Sequence, residues 1–230
     1  AVGADDVMKT TTYAVEVEQS DLVGRWVILR EAGSLAVGET LENLSWWSNP
    51  LSAIKSRDCL FDDVYEFKAD MSFHNIMQDA TWQEGSWESV ATEGCGPALV
   101  PFDGTATASW SHNTEENTVT INGMGAFLGI CKVANGAELT TLASATESIT
   151  YSGVTISDDK DYLTVNINMG PGFWQFKFAR EGSAGASNPT TDTDGDGVPD
   201  IDDDCPDVAG SEPNGCNPSG IGADPSDDFE

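Results

Sequence analysis

Between residues 11 and 180 the chain alternates apolar and polar residues in short runs, and clusters of turn formers separate each run from the next. A period of two sends successive side chains to opposite faces of a strand, so such runs bury an apolar face only when they lie in a sheet. The runs fall at 12–18, 22–30, 63–67, 72–78, 105–111, 117–122, 148–157, 162–168 and 173–179. Turn chemistry at 68–71, 112–116, 157–161 and 170–172 returns the chain antiparallel to itself. Short, evenly spaced strands with few helices predict an all-β barrel or sandwich. One helix is expected, with Asn49 as N-cap, Pro50 at its first position and residues 51–57 behind them. Roughly 160 residues suffice for one sizeable core.

The chain carries 39 Asp and Glu against 10 Lys and Arg, a formal net charge of -29. Fourteen of the acids lie from Glu181 onward, where there is no Lys or Arg at all. Such a chain repels phosphates, which excludes nucleic acid and disfavours anionic membrane surfaces. No apolar run approaches the ~20 residues that span a bilayer. The opening residues Ala1 to Asp6 read as a mature start after removal of a secretion signal.

The acidic half has its own pattern. Asp192, Asp194 and Asp196 alternate with small residues, Gly197 follows, and further acids come at Asp200, Asp202, Asp203, Asp204 and Asp207. Carboxylates this close repel one another unless a hard cation lies among them, and Ca²⁺ accepts six to eight oxygens in flexible geometry. In a calcium-loop reading Asp192, Asp194 and Asp196 give side-chain oxygens, Gly197 permits the turn, Val198 offers its carbonyl, and Asp203 closes the loop. Asp200, Asp202, Asp204 and Asp207 would serve a second ion. The alternative is a solvated acidic linker. An EF-hand is excluded by the Gly and Ser stretch before the loop and by Pro199 within it, since it needs a helix on each side. A dockerin-like module would need a second copy of the loop.

With Cys205 and Cys216 beside these acids, residues 192–216 resemble a thrombospondin type 3 repeat. The resemblance implies a calcium-filled, semi-rigid connector with Cys205 paired to Cys216, and no activity. Five cysteines point to an oxidising compartment. Cys59 and Cys95, each at the edge of a strand or loop, form the second expected pair. It closes a long polar loop and contributes about 3–4 kcal/mol. Cys131 is left over, either as a buried small apolar side chain or as an intermolecular link.

Gly24 and Trp26 stand on the first long strand and Arg180 ends the last. On these residues the domain resembles lipocalin-like barrels, whose Gly-x-Trp strand is covered by a late arginine at the closed end. The wider run through Trp46, Trp47, Cys59, Asp63 and residues 147–151 resembles a lipocalin-like domain of secreted marine bacterial proteins. That places an N-terminal strand at 1–19, a barrel at 20–180, a linker at 181–191, the calcium repeat at 192–216 and an acidic tail at 217–230. Barrel and repeat are expected to be independent, so that alanine at Asp194 and Asp196 leaves barrel unfolding unchanged.

Catalytic machinery is poorly supplied. His74 and His112 are the two histidines, and neither accompanies a partner motif. No His and Cys cluster has zinc spacing. Asp62 and Asp63 are adjacent and would face opposite sides of a strand, Glu84 and Glu88 stand among many acids, and the glycines at 123–129 suit a strand bending at a barrel rim. No enzyme is expected. Trp26, Trp110 and Trp174 read as core. Trp46, Trp47, Trp82 and Trp87 either pack over the barrel mouth or stack on a carbohydrate ligand. Residues 10–18 either pair with an edge of their own barrel or insert into the next subunit. The expected function is therefore a calcium-binding extracellular structural protein that self-associates through strand exchange, with a carbohydrate or small-ligand binding module as the alternative.

Overall fold

A computed structural model describes residues 20–217 apart from 86, 88 and 89. The expected strand at 12–18 and nearly all of the acidic tail lie outside the described residues. Fourteen strands run along the described residues: β1 (Gly24–Ile28), β2 (Leu35–Gly38), β3 (Trp47–Ser48), β4 (Val64–Phe67), β5 (Ser72–Ile76), β6 (Thr81–Gln83) and β7 (Gly94–Gly96) come first. They continue as β8 (Ala108–Asn113), β9 (Thr118–Asn122), β10 (Val133–Ala134), β11 (Ala137–Glu138), β12 (Ser148–Ile156), β13 (Tyr162–Asn168) and β14 (Phe173–Arg180). Two short helices, α1 (Ser52–Ser56) and α2 (Asp58–Phe61), lie between β3 and β4.

Eight strands close an antiparallel barrel in the order β1-β4-β5-β8-β9-β12-β13-β14, and β14 pairs back onto β1. The closing register is Trp26↔Arg180, Val27↔Ala179 and Ile28↔Phe178. β2 takes over the remaining length of β14, from Phe173↔Gly38 to Phe176↔Leu35, and β3 adds to its outer edge. The fold is thus the expected all-β barrel, and every alternating run from 22 to 179 overlaps one of its strands.

Period-two alternation fills the interior. Trp26, Tyr65, Phe67, Phe73, Tyr151, Phe176 and Phe178 have at most 1% of their surface exposed. Edge-to-face contacts link Tyr65 to Phe178 at 5.2 Å and Phe67 to Trp110 at 5.2 Å between ring centroids. Residues 123–130 do not bend a rim strand as their glycines suggested. They lie against the inward-facing side chains. Asn75 donates to Phe127 O at 2.8 Å and accepts from Phe127 N at 3.1 Å. Tyr65 Oη donates to Gly129 O, and Tyr151 Oη accepts from Leu128 N. Buried polar groups need such partners, and this irregular segment finds them in side chains of the barrel strands.

Two local expectations fail for physical reasons. The helix at 51–57 begins at Ser52 with Leu51, not Asn49, as its N-cap. Asn49 is buried, accepts from Leu35 N and donates to Glu31 O, so its carboxamide serves the β1–β2 connection instead. His112 lies in β8 rather than in a turn. The reversal starts beyond it, where the Asn113 side chain accepts from the amides of Glu115 and Glu116 and Asn117 takes φ 53°.

Candidate metal centre

From Arg180 the chain does not swing free. Glu181 N donates to Arg25 O at 2.9 Å and Arg30 N to Gly185 O at 3.0 Å. The Arg30 guanidinium joins Asn188 Oδ1 and Asp58. The expected linker at 181–191 therefore lies on the barrel and delivers the acidic loop beside it.

In the loop each aspartate turns the backbone around itself. Asp192 accepts from Gly195 N at 2.8 Å and from Gly197 N at 2.9 Å. Asp194 accepts from Asp196 N at 3.2 Å, and Asp196 from Val198 N at 2.9 Å. Gly197 takes φ 96°, a conformation that a side chain would strain. The outcome is convergence: carboxylate oxygens of Asp192, Asp194 and Asp196 lie within 4.8 Å of one another. Burial holds the Asp194 carboxyl above the usual carboxylate range, and the negative charges of Asp196, Asp203 and Asp192 add to the rise.

Asp203 stands at the twelfth position, near enough for its charge to raise the Asp194 carboxyl but outside the trio whose oxygens converge. Its Oδ1 accepts from Cys205 N, while its Oδ2 is buried with no hydrogen-bond partner. Asp194 Oδ2 is in the same condition. Two orphaned anionic oxygens inside one acidic loop are costly unless a cation meets them. The donor set is hard oxygen throughout, which suits Ca²⁺ and not a softer ion. Asp192, Asp194, Asp196 and Asp203 would hold the ion.

The other proposed ligands are placed differently. Asp200 spends both carboxylate oxygens on Thr193, accepting from its amide and its hydroxyl at 2.7 Å each. It braces the loop rather than joining the three converging carboxylates. Asp202 pairs with Lys55 at 3.2 Å, and Asp204 accepts from Asn214. Asp207 is exposed. Gly210 N donates to Asp196 Oδ2 at 2.8 Å, which ties the loop to the segment bridged by Cys205 and Cys216. Both expected disulfides are present, Cys205–Cys216 and Cys59–Cys95. Cys131 is buried, and burial raises its thiol far above the ordinary value, so it fills the core and is not available to link chains.

The four tryptophans proposed for ligand contact separate. Trp87 is 3% exposed, stacks on Phe102 at 5.4 Å and donates to Leu139 O, so it belongs to the core and cannot meet a ligand. Trp82 and Trp47 flank the Arg57 guanidinium at 4.1 and 5.5 Å. Trp46 alone is largely open, at 51% exposure. Trp26, Trp110 and Trp174 are buried as expected. Arg180 lies 4.3 Å from the Trp26 ring and donates to the carbonyls of Asp21, Val23 and Lys160.

The burial and partners of two carboxylates, Asp63 and Glu84, are not encoded in their local sequence. Asp63 is fully buried, accepts from Thr81 Oγ1 and is pushed up to about 8 by loss of solvent. Glu84, 5% exposed, forms a 2.9 Å ion pair with Lys132. Neither carries a motif, because the partners come from distant parts of the chain.

Among the described residues no helix is long and apolar enough to cross a membrane. No family model matches the chain, and no curated protein matches it. Among solved structures it is similar to the crystal structure of a DUF4847 family protein from Bacteroides vulgatus, at 16% identity and a TM-score of 0.36, over 73% of this chain and 99% of that one.

Proposed function

We propose that this chain is a secreted, calcium-binding structural protein, with the ion held by Asp192, Asp194, Asp196 and Asp203. The observation that carries the reading is the convergence of the Asp192, Asp194 and Asp196 carboxylates, with two buried, unpartnered oxygens in the same loop, Asp194 Oδ2 and Asp203 Oδ2. Two disulfides support an oxidising compartment such as the extracellular space. Aromatic side chains and Ala126, Phe127, Leu128 and Ile130 fill the core of the barrel, which favours a structural role over a ligand carrier. Self-association through residues 10–18 belongs to the same proposal: an added strand repeats main-chain hydrogen bonds along its length.

Calorimetric titration of the whole protein tests the calcium reading. A dissociation constant of about 10⁻⁴–10⁻³ M is expected, as for extracellular modules of this kind. Asp194→Ala abolishes the heat; titration without heat in the unaltered protein ends the reading. Negative-stain images test assembly: polymers lost on deleting residues 1–19 support it, and monomers under all conditions refute it.

Trp46 favours a second reading, a carbohydrate contact. One edge of its ring approaches Gly172 and the ring is half open. Glycan-array binding that disappears with Trp46→Ala would establish this role, and silence across the array would dismiss it.

A further inference from the structure

The outer face of the barrel contains an anomaly near its seam. Side chains alternate along β1 and β14, so Val27, Leu29 and Ala179 point away from the interior that Trp26, Ile28 and Phe178 fill. Yet Val27 and Leu29 are 6% exposed and Ala179 is 0% exposed. Gly185 accounts for part of the burial. A Cβ placed there would lie 2.7 Å from Leu29 Cδ1, 2.7 Å from Tyr162 Cε1 and 3.1 Å from Ala179 Cβ. Only a residue without a side chain lets the backbone come so near.

Beyond Gly185 the segment is fastened to the barrel at Asn188, and its acidic loop is then closed by bonds within itself. Arg30 Nη1 holds Asn188 Oδ1 at 2.6 Å. Asp200 N donates to Thr191 O at 2.7 Å, and the Asp200 carboxylate grips Thr193. Ile201 follows at once. It is an isolated apolar residue among acids, 6% exposed, and it belongs to the hydrophobic cluster of the barrel. Asp202 then reaches Lys55 on α1. Ile201 and Asp202 fall between Asp196 and Asp203, inside the loop that would enclose the ion.

We propose that residues 181–203 are a strap bound along the barrel, anchored at its far end by Ile201, so that calcium binding in the acidic loop stabilises the barrel itself. This rests on the calcium reading given above. The physical reason is linkage: a cation that binds only the folded loop stabilises whatever must fold with it. Ile201 makes the loop and the barrel fold together, because its burial is lost if either one opens. The strap overrides the independence expected from a connector, and calcium becomes a regulator of barrel stability.

The test compares full-length protein with Ile201→Ser and the milder Ile201→Val, each with 10 mM Ca²⁺ or with EGTA. Tryptophan fluorescence follows thermal unfolding, since Trp26, Trp110 and Trp174 report on the barrel, and calorimetry measures calcium binding separately. In the unaltered protein calcium raises the barrel midpoint by about 3–6 °C. Ile201→Val keeps most of that rise. Ile201→Ser loses at least half of it while still binding calcium within about tenfold of the original affinity, because its carboxylates are intact. Calcium binding with no movement of the barrel midpoint overturns the strap and leaves the calcium reading standing. An undiminished rise in Ile201→Ser also overturns the strap, since the anchor would then lie elsewhere. Absence of calcium heat in the unaltered protein overturns both.

Discussion

Asp63 illustrates how a single residue can tax a well-filled core. It has no exposed surface, one carboxyl oxygen takes the Thr81 hydroxyl at 2.5 Å, and the other has no partner. Loss of solvent, reinforced by the charge of Asp62, raises its pKa from 3.8 to about 8. The folded protein therefore keeps a proton that the unfolded chain releases. Stability from this group is complete below about pH 4, declines between pH 4 and 8, and levels off above 8. Asp63→Asn removes that decline. Denaturant titrations should find the variant about as stable as the original protein at pH 4, and more stable by about 2–5 kcal/mol at pH 9. Equal pH profiles for the two proteins would contradict the assignment. Nothing in the neighbouring residues announces this, because Thr81 and the apolar shell arrive only through the fold.

Among the elements, legibility follows alternation. β12, β13 and β14 show an inward and outward rhythm over seven to nine residues, and the matching runs were visible at 148–157, 162–168 and 173–179. β2 could not be read in this way, since all four of its residues are buried and no rhythm remains. β3, β10 and β11 have two residues each, too few to carry a period. The segment at 123–130 was misread because glycines mark a bend without saying where the bend leads. Asn75 supplies the missing information, as it holds both polar groups of Phe127 from β5. Asn75→Ala leaves a buried amide and a buried carbonyl unpaired and should cost about 2–4 kcal/mol. Near-UV circular dichroism should weaken with it, as Phe127 loses its fixed packing against Tyr65. A loss below 0.5 kcal/mol, near the range of surface substitutions, would mean that the segment is held by its apolar contacts alone.

At the scale of the whole molecule, a net charge of -29 must be reconciled with a compact state. Self-repulsion on this scale destabilises folding, and bound cations relieve it where the charges are densest. The convergence of Asp192, Asp194 and Asp196 was legible, because spacing along one short loop is a sequence property. The attachment of that loop was not legible, because a lone Ile201 in an acidic run says nothing about the surface that receives it. Amide hydrogen exchange of residues 192–216, with millimolar calcium and again after EGTA, tests the central claim most directly. The account predicts strong protection with calcium and a fall of at least tenfold in protection for the amides of Gly195, Gly197, Val198 and Cys205 after chelation, since these amides bond to the aspartates proposed as ligands. Unchanged protection at those four amides would contradict it.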